Sequence, residues 1–319
     1  MLRIWLFGSL SIDFGDAGDS AQAVAGRSAS LLAYLALGHG RTFSRSELLT
    51  SLWPERGSSS GSTGSFNTAL WRLRRLIERP PYQHGQLILS DRRGAIGLNS
   101  AAGVWLDVEE FDRLVAPGLS KPPERLSDEE IDALRCGVQL YKSDILLDVT
   151  DDWALREREK YRRNYLNALG RLMQIATIRR DYAEGIRHAQ AILDSDALRE
   201  DVHRELMQLF VLSGQRALAL RQYEHCRELL RRELAIQPMR ETQTLYRRIA
   251  DSAVGQAPEA DAMTPRISQP SWPMPASAPL QPGPGEDTHA MIHIARCHLA
   301  AADSQLQLSL QLLHREIVA

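Results

Sequence analysis

Cysteine is scarce: Cys136, Cys226 and Cys297 lie far apart among 319 residues, with no CxxC, which excludes a disulfide framework and a zinc knuckle. Aromatic residues make up only 6 %, while Leu, Ala and Arg are plentiful, an argument against a β-sandwich or barrel and for helix. No apolar run approaches the roughly 20 residues that cross a bilayer. The opening MLRIWLFGSL has neither a basic lead nor a long apolar core, so it is not read as a signal peptide. A soluble, cytoplasmic protein of a reducing compartment is expected. Also missing are GxxxxGK[ST], GxSxG, HExxH and any paired Cys–His arrangement, so neither an enzyme nor a cofactor is expected.

Charge of one sign is missing in a more telling way. The formal net charge is −2, yet residues 1–105 contain no Lys and 11 Arg against 7 Asp plus Glu, a balance of +4. The remainder carries 27 basic and 33 acidic residues, a balance of −6. Arg72, Arg74, Arg75 and Arg79 crowd together with only Glu78 opposing them. A basic N-terminal module followed by a mildly acidic body is the first organisational expectation.

Along the chain, Leu2, Ile4 and Leu6 alternate, as do Leu10, Ile12 and Phe14, with Gly8-Ser9 between: a hairpin or meander. Arg27–Leu37 reads as a compact apolar helix stopped by Gly38 and Gly40. Ser44 with Glu47 has capping-box spacing and opens a short helix that Pro54 closes. After a flexible GSSSGSTGS at 57–65, the segment Phe66–Arg79 places Phe66, Leu70, Leu73 and Ile77 on one stripe. Thr68, Arg72, Arg75 and Arg79 fall opposite, Trp71 beside them and Asn67 on the flank. The β-like stretches 87–90 and 95–99, joined by Asp91-Arg92-Arg93-Gly94, make a hairpin with a basic tip.

From Asp107 helical periodicity runs on, broken at Pro117, Pro122-Pro123 and Pro238, with helices expected over 127–143, 152–179, 182–194, 199–213, 216–233 and 239–252. At an offset of 34, Gly185 aligns with Ala219, Ile186 with Leu220, Ala189 with Tyr223 and Ile192 with Cys226, which points to tetratricopeptide-like helix pairs. Tyr161, Tyr165, Leu206, Phe210 and Tyr223 are assigned to repeat packing. Arg156, Arg158, Arg162 and Arg163 either line a groove for an anionic ligand or alternate with Glu157 and Glu159 as solvated charges. The expected fold is mainly α: an N-terminal winged helix-turn-helix with small β-sheets over 1–106, a tetratricopeptide-like all-α repeat domain over 107–252, a Pro-rich linker over 253–285 and an amphipathic C-terminal helix over 286–319. In that last segment His289, His293 and Cys297 have a spacing that fits two metal ligands, but a His-rich surface helix is the more ordinary reading and no metal site is assigned.

An Arg-bearing amphipathic helix alone is more often a solvated surface than a DNA reader. Here four features coincide: a preceding sheet, a capped scaffold helix, an Arg-rich helix and an Arg-tipped hairpin. Together they read as DNA binding.

LRIWLFGSL, RSASLLAYLAL, SRSELLTSLWPE, FNTALWRLRRLIE and VWLDVEEFDRL resemble the OmpR-type winged-helix domain of the Streptomyces antibiotic regulatory protein (SARP) group. LYKSDILLD, DDWALREREKYRRNYLNALGRL and the run from LREDVHRELMQLF to ETQTLYRRI are similar to the bacterial transcriptional activator domain. The resemblance covers about residues 1–250 and implies a promoter-binding activator that helps recruit RNA polymerase, often as dimers on direct repeats. It makes Phe66–Glu78 the recognition helix, with Arg72 and Asn67 as base readers. Thr68, Trp71, Arg74 and Arg75 are carried over as further DNA contacts, and Arg92 and Arg93 as the wing. Trp71 alternatively braces the hairpin, and Arg74 alternatively pairs with an acidic neighbour. The loop that meets polymerase in this family is here the uncharged 57–65 stretch, a departure that points to a mobile loop. The helical stack is open to a small effector, a peptide or a second copy. The same residues also fit a protein-interaction scaffold or a repressor.

Overall fold

Alternation sets the first strands. The computed structural model describes residues 1–15, 21–38, 40–54 and 60–251, and there Leu2, Ile4, Leu6 and Ile12 are all but fully buried. Strand β1 (Leu2–Trp5) pairs antiparallel with β2 (Ser11–Asp13), which pairs antiparallel with β3 (Gln22–Ala23). Helix α1 (Gly26–Leu37) buries Leu31, Leu32 and Leu35. At Gly38 a Cβ would stand 2.5 Å from the Phe43 ring, so the stop after α1 is a close approach, while Gly40, at φ +78°, makes the left-handed turn. Helix α2 (Arg45–Leu52) is capped by Ser44, whose Oγ accepts from the Glu47 N–H at 3.1 Å. The Glu47 carboxylate turns to Arg41 at 2.8 Å, so only half of the expected capping box forms.

Helix α3 (Ser60–Ile77) begins inside the stretch expected to be flexible. Phe66, Leu73 and Ile77 are fully buried, and once they are docked the helix extends backwards through residues of low propensity at small cost, Thr68 Oγ1 donating to the Gly64 carbonyl at 3.0 Å. Residues 55–59 lie outside the described residues. Strands β4 (Ile88–Ser90) and β5 (Ile96–Leu98) form the wing. Phe43 adds a short bridge to Ile96, with both N–H···O distances at 2.8 Å. Gly97 allows this approach: a Cβ there would stand 2.8 Å from the Arg41 carbonyl oxygen.

Strand β6 (Val104–Leu106) returns to pair parallel with β1, completing a four-stranded sheet in the order β3-β2-β1-β6. It leads directly into α4 (Asp107–Ser120), which continues through Pro117 where a break was expected. The missing N–H falls in the last turn, and Val115 and Gly118 hold that turn against Leu134 and Gly137 of α5 (Asp128–Leu140). Ser127 and Glu130 make a full capping box at the start of α5. Helix α5 stops short of its expected end at 143, because the chain then runs extended beside the first hairpin. Gly8 N–H donates to the Asp144 carbonyl at 3.0 Å and Leu146 N–H to that of Leu6 at 2.9 Å.

Helices α6 (Asp152–Ile178), α7 (Tyr182–Ser195), α8 (Glu200–Leu212), α9 (Arg216–Leu234) and α10 (Arg240–Asp251) pack in sequence as a stack. The small residues of the repeat sit at the crossings: Ala189 and Ala219 are fully buried, and a Cβ on Gly185 would come within 3.2 Å of Leu209. Leu206, Phe210 and Tyr223 pack within the stack, whereas Tyr161 joins Phe7 and Phe111, at ring-centroid distances of 5.9 and 6.1 Å. One hydrophobic core therefore runs from the sheet into α6, and the described residues form one compact unit. Asp107 sits fully buried at this junction, accepting the Leu6 and Phe7 N–H groups at 2.8 Å each. Burial pushes its pKa up to about 6 against the pull of those backbone donors. Arg158 donates to the carbonyls of Ile145, Leu146 and Val149, and Arg162 to that of Ser195, so both serve the backbone. Residues 252–319, on which the expected Pro-rich linker, amphipathic C-terminal helix and His289–His293–Cys297 pattern fall, lie outside the described residues.

Candidate nucleic-acid interface

The inward face of α3 fixes its outward one. Phe66 packs edge-to-face against the Trp53 ring, Ser28 Oγ donates to the Ala69 carbonyl at 3.3 Å, and Leu73 and Ile77 are sealed in the core. At 100° per residue this leaves Asn67, Thr68, Trp71, Arg72 and Arg75 exposed on the opposite side. Trp71 is 59 % exposed, with the Arg75 guanidinium over its ring at 5.4 Å. It does not brace the hairpin. Arg72 projects freely beside this pair, while Asn67 Oδ1 accepts from the Arg45 guanidinium.

Arg74 takes a different place from its neighbours. Its guanidinium donates to Ser90 Oγ at 2.6 Å and to the Ile88 carbonyl at 3.3 Å, so it ties α3 to wing strand β4. Its expected acidic neighbour is absent from these bonds. Glu78 completes the brace, its Oε1 accepting the N–H groups of Leu87 and Ile88 at 3.2 and 2.9 Å. Arg79 lies over the Phe14 ring at 4.0 Å, turned towards the first hairpin.

The wing tip is shaped by Asp91. Its Oδ1 accepts the Arg93 and Ala95 N–H groups at 2.8 and 2.7 Å, and Gly94 at φ +79° closes the turn. Arg92 and Arg93 are left exposed at the tip. The result is a rigid helix with a guanidinium face and, fixed to it by Arg74 and Glu78, a loop with two more guanidinium groups. Such an arrangement suits a duplex: helix-borne Arg matches guanine O6 and N7 in the major groove, and Arg at a loop tip matches phosphate.

Arg45, which is not among the DNA contacts expected from the sequence, borders this face. It stands exposed in the first turn of α2, over the Phe66 ring at 5.0 Å and in contact with Asn67. The Ser44–Glu47 spacing marked this turn as a helix start, and an exposed Arg one position after the cap was the available signal. No group of three or more metal-ligating side chains occurs among the described residues, and no helix there is long and apolar enough to cross a membrane.

A wing-bearing helix-turn-helix fused to a stack of paired helices defines a class of DNA-binding transcription regulators. Residues 21–94 match the family described as transcriptional regulatory protein, C terminal, and residues 106–250 match the bacterial transcriptional activator domain. Both domains in that order, together with the relatives below, support a SARP-type transcriptional regulator. It is 27 % identical over 237 residues to Regulatory protein AfsR of Streptomyces coelicolor, covering 74 % of this chain and 23 % of that one. It is 26 % identical over 245 residues to Transcriptional regulator RedD of the same organism, covering 74 % of this chain and 67 % of that one. The chain thus spans under a quarter of AfsR. Mycobacterium tuberculosis EmbR, solved in complex with a low-affinity phosphopeptide, shares the fold at a TM-score of 0.63 and 17 % identity, over 78 % of this chain and 65 % of that one.

Proposed function

We propose that the chain binds double-stranded promoter DNA through residues 1–106 and activates transcription there by bringing RNA polymerase to the promoter, with 107–252 as the activator domain. In this reading α3 enters the major groove. Arg72 and Asn67 read bases, Thr68, Trp71 and Arg75 contact the groove edge or phosphates, and Arg92 and Arg93 hold the backbone as the wing. Arg74 acts mainly by fixing the wing's angle to α3. Two copies occupy direct repeats, and the protein works in the cytoplasm without enzymatic activity. The observation that carries the reading is the exposed Arg72–Trp71–Arg75 face of α3 held in one rigid frame with the Arg92–Arg93 tip. Selecting bound genomic DNA, then placing the recovered fragments before a reporter, tests it. Recovery of a shared repeat whose reporter rises with the protein is expected; sequence-blind recovery, or a reporter that falls, would sink the activator reading.

A further inference from the structure

The stack of α7, α8 and α9 encloses a groove with a cavity of about 570 Å³ that the DNA-binding reading does not use. Its floor is apolar: Phe210 is buried, and Ile186 and Leu218 are half-buried. Its mouth is polar, with Gln190, Arg221 and His225 all exposed. Two carboxylates adjacent in sequence to lining residues are already paired, Glu224 with Arg227 at 2.5 Å and Glu184 with Arg135 at 2.9 Å. Among the described residues Arg221 meets no carboxylate. An exposed guanidinium with no protein counter-charge, at the mouth of an apolar floor, is complementary to a carboxylate attached to an apolar body.

We propose that this α7–α9 groove binds an acidic segment of a partner protein in extended form, an Asp or Glu carboxylate on Arg221 and an adjacent apolar side chain on Phe210. Gln190 supplies what a peptide in particular needs, since its amide both donates and accepts and so matches a backbone peptide group. The groove is open along the side where Ala183, Gln190 and Arg221 are exposed, so it leaves room for a chain to run through it. A small acid would require fuller enclosure to be held there. A nucleic acid would leave the apolar floor without use. This inference stands apart from the DNA reading, and its test uses no DNA.

Random dodecamer peptides on phage are panned against the full chain, and the strongest peptide is synthesised with a fluorescein label for polarisation titrations. Enriched peptides should carry Asp or Glu next to Leu, Ile or Phe. Arg221→Glu should weaken the labelled peptide by about tenfold or more, the scale of one charge-assisted bond. Ala183→Trp, which fills the groove from an exposed position on α7, should weaken it comparably. Arg113→Ala, a change at an exposed position on α4 away from the groove, should leave it within about twofold. Thermal melts of the three variants, matched to the parent chain, separate lost binding from lost folding. Failure to enrich any peptide, enrichment without acidic residues, or affinity indifferent to Arg221→Glu would each overturn the proposal. So would self-association of the free chain that Arg221→Glu abolishes in sedimentation velocity, which would give the groove to a second copy.

Discussion

Replacing Asp107 with asparagine isolates the charge that ties the sheet to the activator helices. The side chain is fully buried, with Oδ2 accepting the Leu6 and Phe7 N–H groups and Oδ1 that of Val108, each at 2.8 Å. Its folded pKa, pushed up to about 6 by burial, lies above the ordinary 3.8. The ionised carboxylate therefore opposes folding above about pH 6, and the penalty fades as pH falls towards 3.8. Linkage puts the relief between pH 7 and pH 5 at about 1.3 kcal/mol. The Asp107→Asn variant carries no charge there and so shows no such dependence. Its amide NH₂ turns towards one of the three backbone donors, at a cost of about 1–3 kcal/mol at any pH. In urea unfolding at both pH values, the stability of wild type minus that of Asp107→Asn should therefore be about 1.3 kcal/mol larger at pH 5 than at pH 7. Other titrating groups, such as Glu205, which burial pushes up to about 7, are common to both proteins and cancel in the difference. A difference that is equal at the two pH values, or larger at pH 7, would show that the buried Asp107 carboxyl does not titrate above its ordinary range.

Gly137→Ala drives a Cβ to 2.6 Å from Val115 Cγ2 between α5 and α4, so despite its gain in helix propensity it should lower stability by about 1–3 kcal/mol. A melting temperature at or above wild type would show that this crossing can relax. Gly97→Ala pushes against the Arg41 carbonyl oxygen from 2.8 Å, and should lower both the melting temperature and DNA affinity by loosening the wing from the Phe43 bridge. Unchanged affinity would mean that wing position is unimportant for binding. Ser44→Ala removes the cap of α2 and should cost about 1 kcal/mol in denaturant unfolding, while Ser44→Gly should cost only a few tenths. Equal losses would assign the effect to something other than the cap.

What the sequence made legible were features set by neighbours a few residues apart. Alternation from Leu2 to Phe14 yields β1 and β2, Ser44 caps α2, the stripe from Phe66 to Ile77 orients α3, and Asp91–Gly94 shapes the wing. The offset of 34 marks the crossings at Gly185 and Ala219. Features created by distant pairing were not legible. Strand β6 joins β1 across about a hundred residues, and the extended run after α5 is held by the backbone of Leu6 and Gly8, which no local pattern announces. The same limit applies to charge. Arg72 and Arg74 look alike in sequence, yet Arg74 faces Ser90 and Ile88 while Arg72 faces solvent, and only the position of the wing separates them. Arg158 likewise looked like a surface charge and serves three carbonyls instead.

In the proposed function the outward face of α3 reads DNA sequence while the wing tip holds the backbone. The most direct test is a salt-resolved binding titration of wild type, Arg72→Ala and the Arg92→Ala, Arg93→Ala double variant on the selected site and on its single-base variants. Arg72→Ala should lose about 1–3 kcal/mol and relax preference at one base position. The double variant should weaken all sequences alike and flatten the salt slope by about one to two units. Unchanged base preference in Arg72→Ala, with the loss confined to overall affinity, would contradict the account.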